Sequence, residues 1–296
     1  MIYDPVIDNR FLIEGQKERI AEEVIKIFSE VFPQLKEVIV SYNQRNLTDI
    51  LNQIQIIINT NFQSLDEHIQ EQLAELGFLE AKFEDRYYQE IVQEQTGINA
   101  IPYAISLAII AASIPKTDVQ GNSYTSEINL IKSRLIQDIK KKVRFGLLSG
   151  QEYTDIFNNV SKSINKTGNG LNNLVATTAQ AVISDIAEEY ADKNKAQSNL
   201  EIYIAVMDSK TTKICRRNNG KIFKEGEGQR VPAHYNCRSI RVKYYKDLKD
   251  SAYKTFIEAI KNDEIDKVYK KGDSKKYSFE TFEKKQNALI EKEKAA

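Results

Sequence analysis

Tryptophan is absent from this chain of 296 residues, which holds only 2 cysteines, 2 histidines, 5 prolines and 12 glycines. So few chain breakers exclude a collagen-like or proline-rich polymer and argue against a β-sandwich, whose many tight turns draw on Gly and Pro. Two cysteines cannot build a small disulfide-stapled scaffold. Long apolar runs are missing too. The most apolar stretch, residues 98–114, is shorter than the roughly 20 residues a membrane span requires, and it contains Asn99, Pro102 and Ser106. It reads as a buried core helix, with a membrane-active segment as the alternative. No sign of charge dominates: 42 Lys and Arg balance 42 Asp and Glu, which excludes a globally basic nucleic-acid binder. The opening Met1-Ile2-Tyr3-Asp4-Pro5 lacks the basic-then-apolar layout of a secretory signal, so folding in a cytosol is expected.

What the chain has is charge unevenly spread and apolar residues at helical spacing. Residues 1–100 carry 8 Lys and Arg against 18 Asp and Glu, whereas residues 201–245 carry 10 against 4. Such asymmetry fits solvated helix faces or different partners at the two ends. Ile20, Val24, Ile27, Phe28 and Val31 predict a helix over about 14–32, ended by Pro33. A second run covers about 46–60, and Leu65, Ile69, Leu73 and Leu76 continue the rhythm to Gly77, which reads as a C-cap. Phe83, Tyr87, Ile91 and Val92 mark a further helix ending near Gly97.

Residues 115–125 read as a loop and as a domain boundary. Helix resumes at about Ser126, with a basic cluster of Lys140, Lys141, Lys142 and Arg144. It follows again after Gly150, breaks at a turn over Lys166–Gly170, and runs from Leu171 to Tyr190. At Leu200 the period changes to two: Ile202, Ile204 and Val206, then Ile240, Val242 and Tyr244, alternate as strands do, with a short strand at Lys221–Phe223 between them. A helix near Ser251–Ile260 and a charged tail close the chain. The expected fold is therefore α+β, predominantly helical, with a small antiparallel β unit near residues 200–245. Its expected divisions are residues 1–120, 121–245 and 246–296.

The chemistry is concentrated in the segment from Asp208 to Arg241. Both cysteines and one of the two histidines fall there: Cys215, then His234, then Cys237. Thiolate and imidazole suit zinc, but a structural zinc site takes four ligands, and Asp208 is the nearby carboxylate nominated as the fourth. A Cys215–Cys237 disulfide and two reduced, buried thiols stand beside that reading. A Cys215 nucleophile with His234 as its base lacks a visible orienting group in the sequence. His68 reads as a surface histidine. Gly226 and Gly228 lack the strand–helix context of a phosphate loop.

Asp208, Thr212, Cys215, Asn219-Gly220, Pro232, His234 and Cys237-Arg238 together resemble the head-morphogenesis family of tailed phages, typified by protein F of phage Mu. The resemblance spans roughly residues 126–245. Thr212 and Ser239 stand where many members have further cysteines, which removes two ligands available to those relatives. The resemblance implies a virion component rather than an enzyme: a minor head protein that associates with the portal and with capsid or scaffolding protein in the host cytoplasm, with effects on DNA packaging or delivery. No cofactor is expected, with zinc at Cys215, His234 and Cys237 as the alternative. The alternative is an ejected DNA-binding protein or a metal-dependent DNA-processing factor, with viral DNA as partner.

Overall fold

Apolar side chains at three-and-four spacing bury one face of a helix only if another helix covers it. This chain solves the problem by packing long helices against one another. The computed structural model describes residues 4–44, 46–195, 198–205 and 211–244. In order, the elements are α1 (Asp4–Ser29), α2 (Val31–Val40), α3 (Leu47–Arg86), a π-helical turn over Tyr87–Val92, α4 (Gln93–Thr96), α5 (Leu107–Ser113), β1 (Asp118–Val119), β2 (Asn122–Ser123), α6 (Tyr124–Leu148), α7 (Tyr153–Lys193), β3 (Leu200–Ile204), α8 (Lys213–Asn218), β4 (Ile222–Lys224) and β5 (Ile240–Lys243). The fold is α+β and predominantly helical, with small antiparallel sheets, as expected.

The two longest helices, α3 and α7, lie against each other, and α1 and α6 each pack on both. Along α3, Ile50, Ile54, Ile58, Phe62, Leu65, Ile69, Leu73 and Leu76 are all at most 2% exposed. One hydrophobic core runs from Val6 in α1 to Ile240 in β5, across the expected boundary at 115–125, where the β1–β2 hairpin sits. Among the described residues, no helix is long and apolar enough to cross a membrane.

Several local expectations need correction. Gly77 does not cap a helix. It lies inside α3, where a Cβ would stand 2.8 Å from Ile110 and 2.9 Å from Val182. Its missing side chain lets α5 and α7 approach. The turn over Lys166–Gly170 is likewise helix, part of a continuous α7, and Gly168 makes room for Ile25 of α1, 2.9 Å from where its Cβ would be. In both cases a glycine that reads as punctuation serves close packing. Pro33 ends nothing: the break comes before α2, and Pro33 sits in that helix's first turn, where a missing N–H leaves no bond unmade.

Residues 98–114 do not form a buried core helix. Only Leu107–Ser113 is α-helical, and only Ile105, Ile110 and Ile114 of the stretch's large side chains are buried, while Ile101 and Ile109 are more than half exposed. Gly97, at φ 68°, ends the preceding helix, and the chain beyond it runs without helical bonds. Its backbone N–H groups are met by side chains instead: Ala100 by Gln93, Ile101 by Asn194 and Tyr103 by Asp85.

The acidic helices are also not polar only on the outside. Glu80, fully buried in α3, accepts from Asn9 Nδ2 and Arg10 Nη2, each at 2.7 Å, and so ties α1 to α3. One turn on, Glu84 is buried beside it, and desolvation together with the Glu80 carboxylate holds its carboxyl well above the usual range, against the pull of Arg10.

Candidate metal centre in the small β unit

Strand alternation gives the second sheet two working faces. β3 lies in the middle, with β4 and β5 antiparallel on either side. Ile202 and Ile204, with Ile240 of β5, turn toward the helical core. Tyr203 and Ala205 turn the other way, onto a separate cluster with Cys215, Val231 and Cys237. Pairing of β3 with β5 brings the two ends of the intervening loop together, which is how residues far apart in sequence come to meet.

Cys215 Sγ lies 3.0 Å from His234 Nε2 and 3.9 Å from Cys237 Sγ, and the three ligand atoms lie within 4.8 Å of one another. Both cysteines are free and buried. Tyr203 Oη is 3.3 Å from Cys215 Sγ. His234 Nδ1 is 2.8 Å from the carbonyl oxygen of Tyr235, which can only accept. Nδ1 therefore carries the proton, and in the neutral ring Nε2 keeps its lone pair toward the sulfurs. The hydrogen bond with Cys237, joined by those from Ser239, Tyr203 and Thr212, pulls the Cys215 thiol down against the cost of burial. The same bond and burial push Cys237 up.

These donors fit a soft metal. Two thiolates bound to one tetrahedral zinc at about 2.3 Å each sit about 3.8 Å apart, close to the 3.9 Å found here. Asp208, the carboxylate nominated as a fourth ligand, lies outside the described residues, as do the helix near Ser251–Ile260 and the charged tail.

The other motif residues build the frame. Thr212 is the N-cap of α8, the short helix that presents Cys215, without a capping bond from its side chain. Asn219 Oδ1 accepts from Ala205 N at 3.0 Å, and Gly220, at φ 75°, donates its N–H to Tyr203 O at 2.8 Å. The left-handed backbone explains a glycine there. Pro232 follows a cis peptide bond, and its carbonyl accepts from Gln120 Nε2 in the β1–β2 hairpin. Arg238 is half-buried between Cys237 and Ser239.

Four residues that no motif marked, Asn173, Thr177, Gln180 and Tyr203, also matter. Asn236, in the left-handed region at φ 57°, donates from its backbone to Thr177 Oγ1 at 3.0 Å and from its side chain to Asn173 Oδ1 at 2.7 Å. Gln180 donates to Ser239 O at 3.1 Å and accepts from Lys17. One face of α7 thereby grips the loop that carries His234 and Cys237. The only trace in sequence is a polar stripe, Asn173, Thr177 and Gln180, at helical spacing. The fourth residue, Tyr203, passed for packing in a strand. His68 is half-buried rather than at the surface, 3.3 Å from Glu23.

Residues 137–242 match the family model described as Phage Mu protein F like protein. The matched segment, less than half of the chain, spans the C-terminal half of α6, α7 and the β unit, and is similar to that family. No curated protein and no solved structure matches the chain.

Proposed function

We propose that this chain is a minor head protein of a tailed bacteriophage, associating with the portal and with capsid or scaffolding protein in the host cytoplasm and remaining in the virion, where it acts in head assembly and in DNA packaging or delivery. The observation that carries this reading is the Pro232–Arg238 turn: its histidine and cysteine lie against Cys215 while α7 holds its backbone, all within the matched domain. Quantitative mass spectrometry of purified virions tests it. A few copies per particle are expected, together with loss of filled heads when the gene is deleted. Absence from mature particles, with filled heads still formed in the deletion, would overturn it.

In this reading the cluster is a structural staple with no turnover. The burial of Cys215, only 2% exposed, supports that reading. Zinc held by Cys215, His234 and Cys237 would join α8 to the Pro232–Arg238 turn, and a β unit of this size has little apolar surface with which to do so alone. Protein purified without chelator is expected to hold one zinc per chain, lost in Cys237→Ser. Absence of metal, with thiols that titrate only after unfolding, would leave two buried thiols as the staple.

The alternative DNA-binding reading draws on the excess of cations in residues 201–245. Two of these are already neutralised: Arg241 pairs with Glu201 at 2.5 Å and Lys243 with Glu225 at 2.9 Å. Affinity for DNA that falls steeply with added salt would favour it.

A further inference from the structure

A cleft of about 930 Å³ opens between the first turns of α3 and the C-terminal half of α6. Thr48, Leu51 and Asn52 form one wall, and the other carries Lys140, Lys141, Arg144, Phe145 and Leu148. None of the residues lining it is Asp or Glu. The contrast on the same helix is informative: among the described residues, Lys142 is paired with Asp138 at 2.8 Å, whereas Lys140 reaches the neutral Gln55, at 2.6 Å. Phe145 and Leu148 are each 65% exposed, the largest exposures among the big apolar side chains of the described residues. They stand three apart on α6 and therefore share one stripe. Exposed aromatic and aliphatic anchors beside uncompensated cations are not what a solvated helix face needs.

We propose that this cleft docks an amphipathic helix of a partner protein, with apolar residues against Leu51, Phe145 and Leu148 and carboxylates facing Lys140, Lys141 and Arg144. A groove between two helices is the shape a third helix fills, and apolar anchors at helical spacing are how such grooves are read. Charge decides the sign of the partner: three cations without a carboxylate among them fit an acidic helix and repel a basic one. The same chemistry argues against nucleic acid. Phosphates would satisfy the cations and leave Leu148, which offers no ring for base stacking, without an apolar partner. The inference does not depend on the head-protein reading, since it concerns this groove whatever particle the chain enters.

The test uses the full chain and a synthetic peptide of leucine and glutamate at helical spacing, with the lysine counterpart and a duplex DNA oligonucleotide as controls, followed by fluorescence anisotropy. The acidic peptide is expected to bind and the lysine peptide not to. Phe145→Ala with Leu148→Ala should weaken binding about tenfold or more, as for anchors at the centre of an interface. Lys141→Glu with Arg144→Glu should abolish it. All four positions are exposed, so circular dichroism should show unchanged helix content in both variants. No binding of the acidic peptide to the wild-type chain would overturn the proposal. So would DNA binding that survives loss of Phe145 and Leu148 but not charge reversal, which would assign the groove to phosphate. Self-association that disappears with Phe145 and Leu148 would overturn it in favour of a second copy of this chain.

Discussion

The helical body and the β unit hold together by different means. The body is sealed by long rows of apolar side chains from α1, α3, α6 and α7, most of them wholly out of water. The outer face of the β unit encloses a cluster of five residues, two of which are the cysteines. Its position depends on directed bonds: Asn236 to Asn173 and Thr177, Gln180 to Ser239, and the Cys215, His234 and Cys237 group. Burial is non-directional and spreads its stabilisation over many contacts. A unit with little to bury concentrates its stability in a few polar or metal-ligating groups, and each of those matters individually.

The sharpest way to break the comparison is to damage the body. Leu73, buried to 0% exposure at the centre of α3, has no room to be replaced by water. Leu73→Ala should lower unfolding free energy by about 2–5 kcal/mol. Because one core runs from α1 to β5, thiol accessibility at Cys215 should appear in the same transition as loss of helix. Separate transitions for the two signals would show that the β unit and the body are not one cooperative structure.

A milder change addresses the bonds that position the β unit. Asn236→Ala removes the side-chain bond to Asn173 and leaves Ala in left-handed backbone, which Asn tolerates better. A loss of about 1–2 kcal/mol is expected, with faster amide exchange confined to the Pro232–Arg238 turn and the helices unchanged. Equal loosening throughout α3 would show that the turn is not held locally.

The two regions also differ in how far the sequence reveals them. Three-and-four spacing marks the helices because every buried position repeats the same signal, and the switch to alternation at Leu200 marks the sheet for the same reason. Punctuation misleads where glycine serves packing. At Gly77 and Gly168 the neighbouring side chains come from α5, α7 and α1, and nothing local distinguishes such a glycine from a cap. The uncharged run at 98–114 fails for a related reason: apolar composition predicts burial only when there is uncovered core left to bury against. In the β unit, the identity of Cys215, His234 and Cys237 is visible from their rarity and spacing. Their support by Asn173, Thr177 and Gln180 is not, because a polar stripe on a helix ordinarily faces water. Gly220 is the exception, since an Asn-Gly pair before a strand already implies left-handed backbone.

The body has one place where it uses the β unit's method, and it gives the smallest and most selective test. Glu80 and Glu84 lie one turn apart on α3, both buried, with Arg10 of α1 as the cation beside them. Two carboxylates cannot both ionise there at the ordinary range, and Glu84 is the one whose proton is retained, first through desolvation and then through Glu80. In the unfolded chain Glu84 loses that proton near pH 4.5. Above that pH and up to the raised native value, the folded protein holds one proton more than the unfolded one. Stability must therefore fall as pH rises through this window, by at most about 1.4 kcal/mol per pH unit for one proton, and it should be level in this component above and below it. Glu84→Gln keeps the shape and a hydrogen-bond donor toward Glu80 but removes the titration. The difference in unfolding free energy between wild type and Glu84→Gln, measured by denaturant titration at a series of pH values, should thus grow in favour of the variant from pH 4.5 upward. A difference that stays constant across the series, or that favours the wild type more as pH rises, would mean that Glu84 is ionised in the fold and that Arg10, rather than a shared proton, settles the pair.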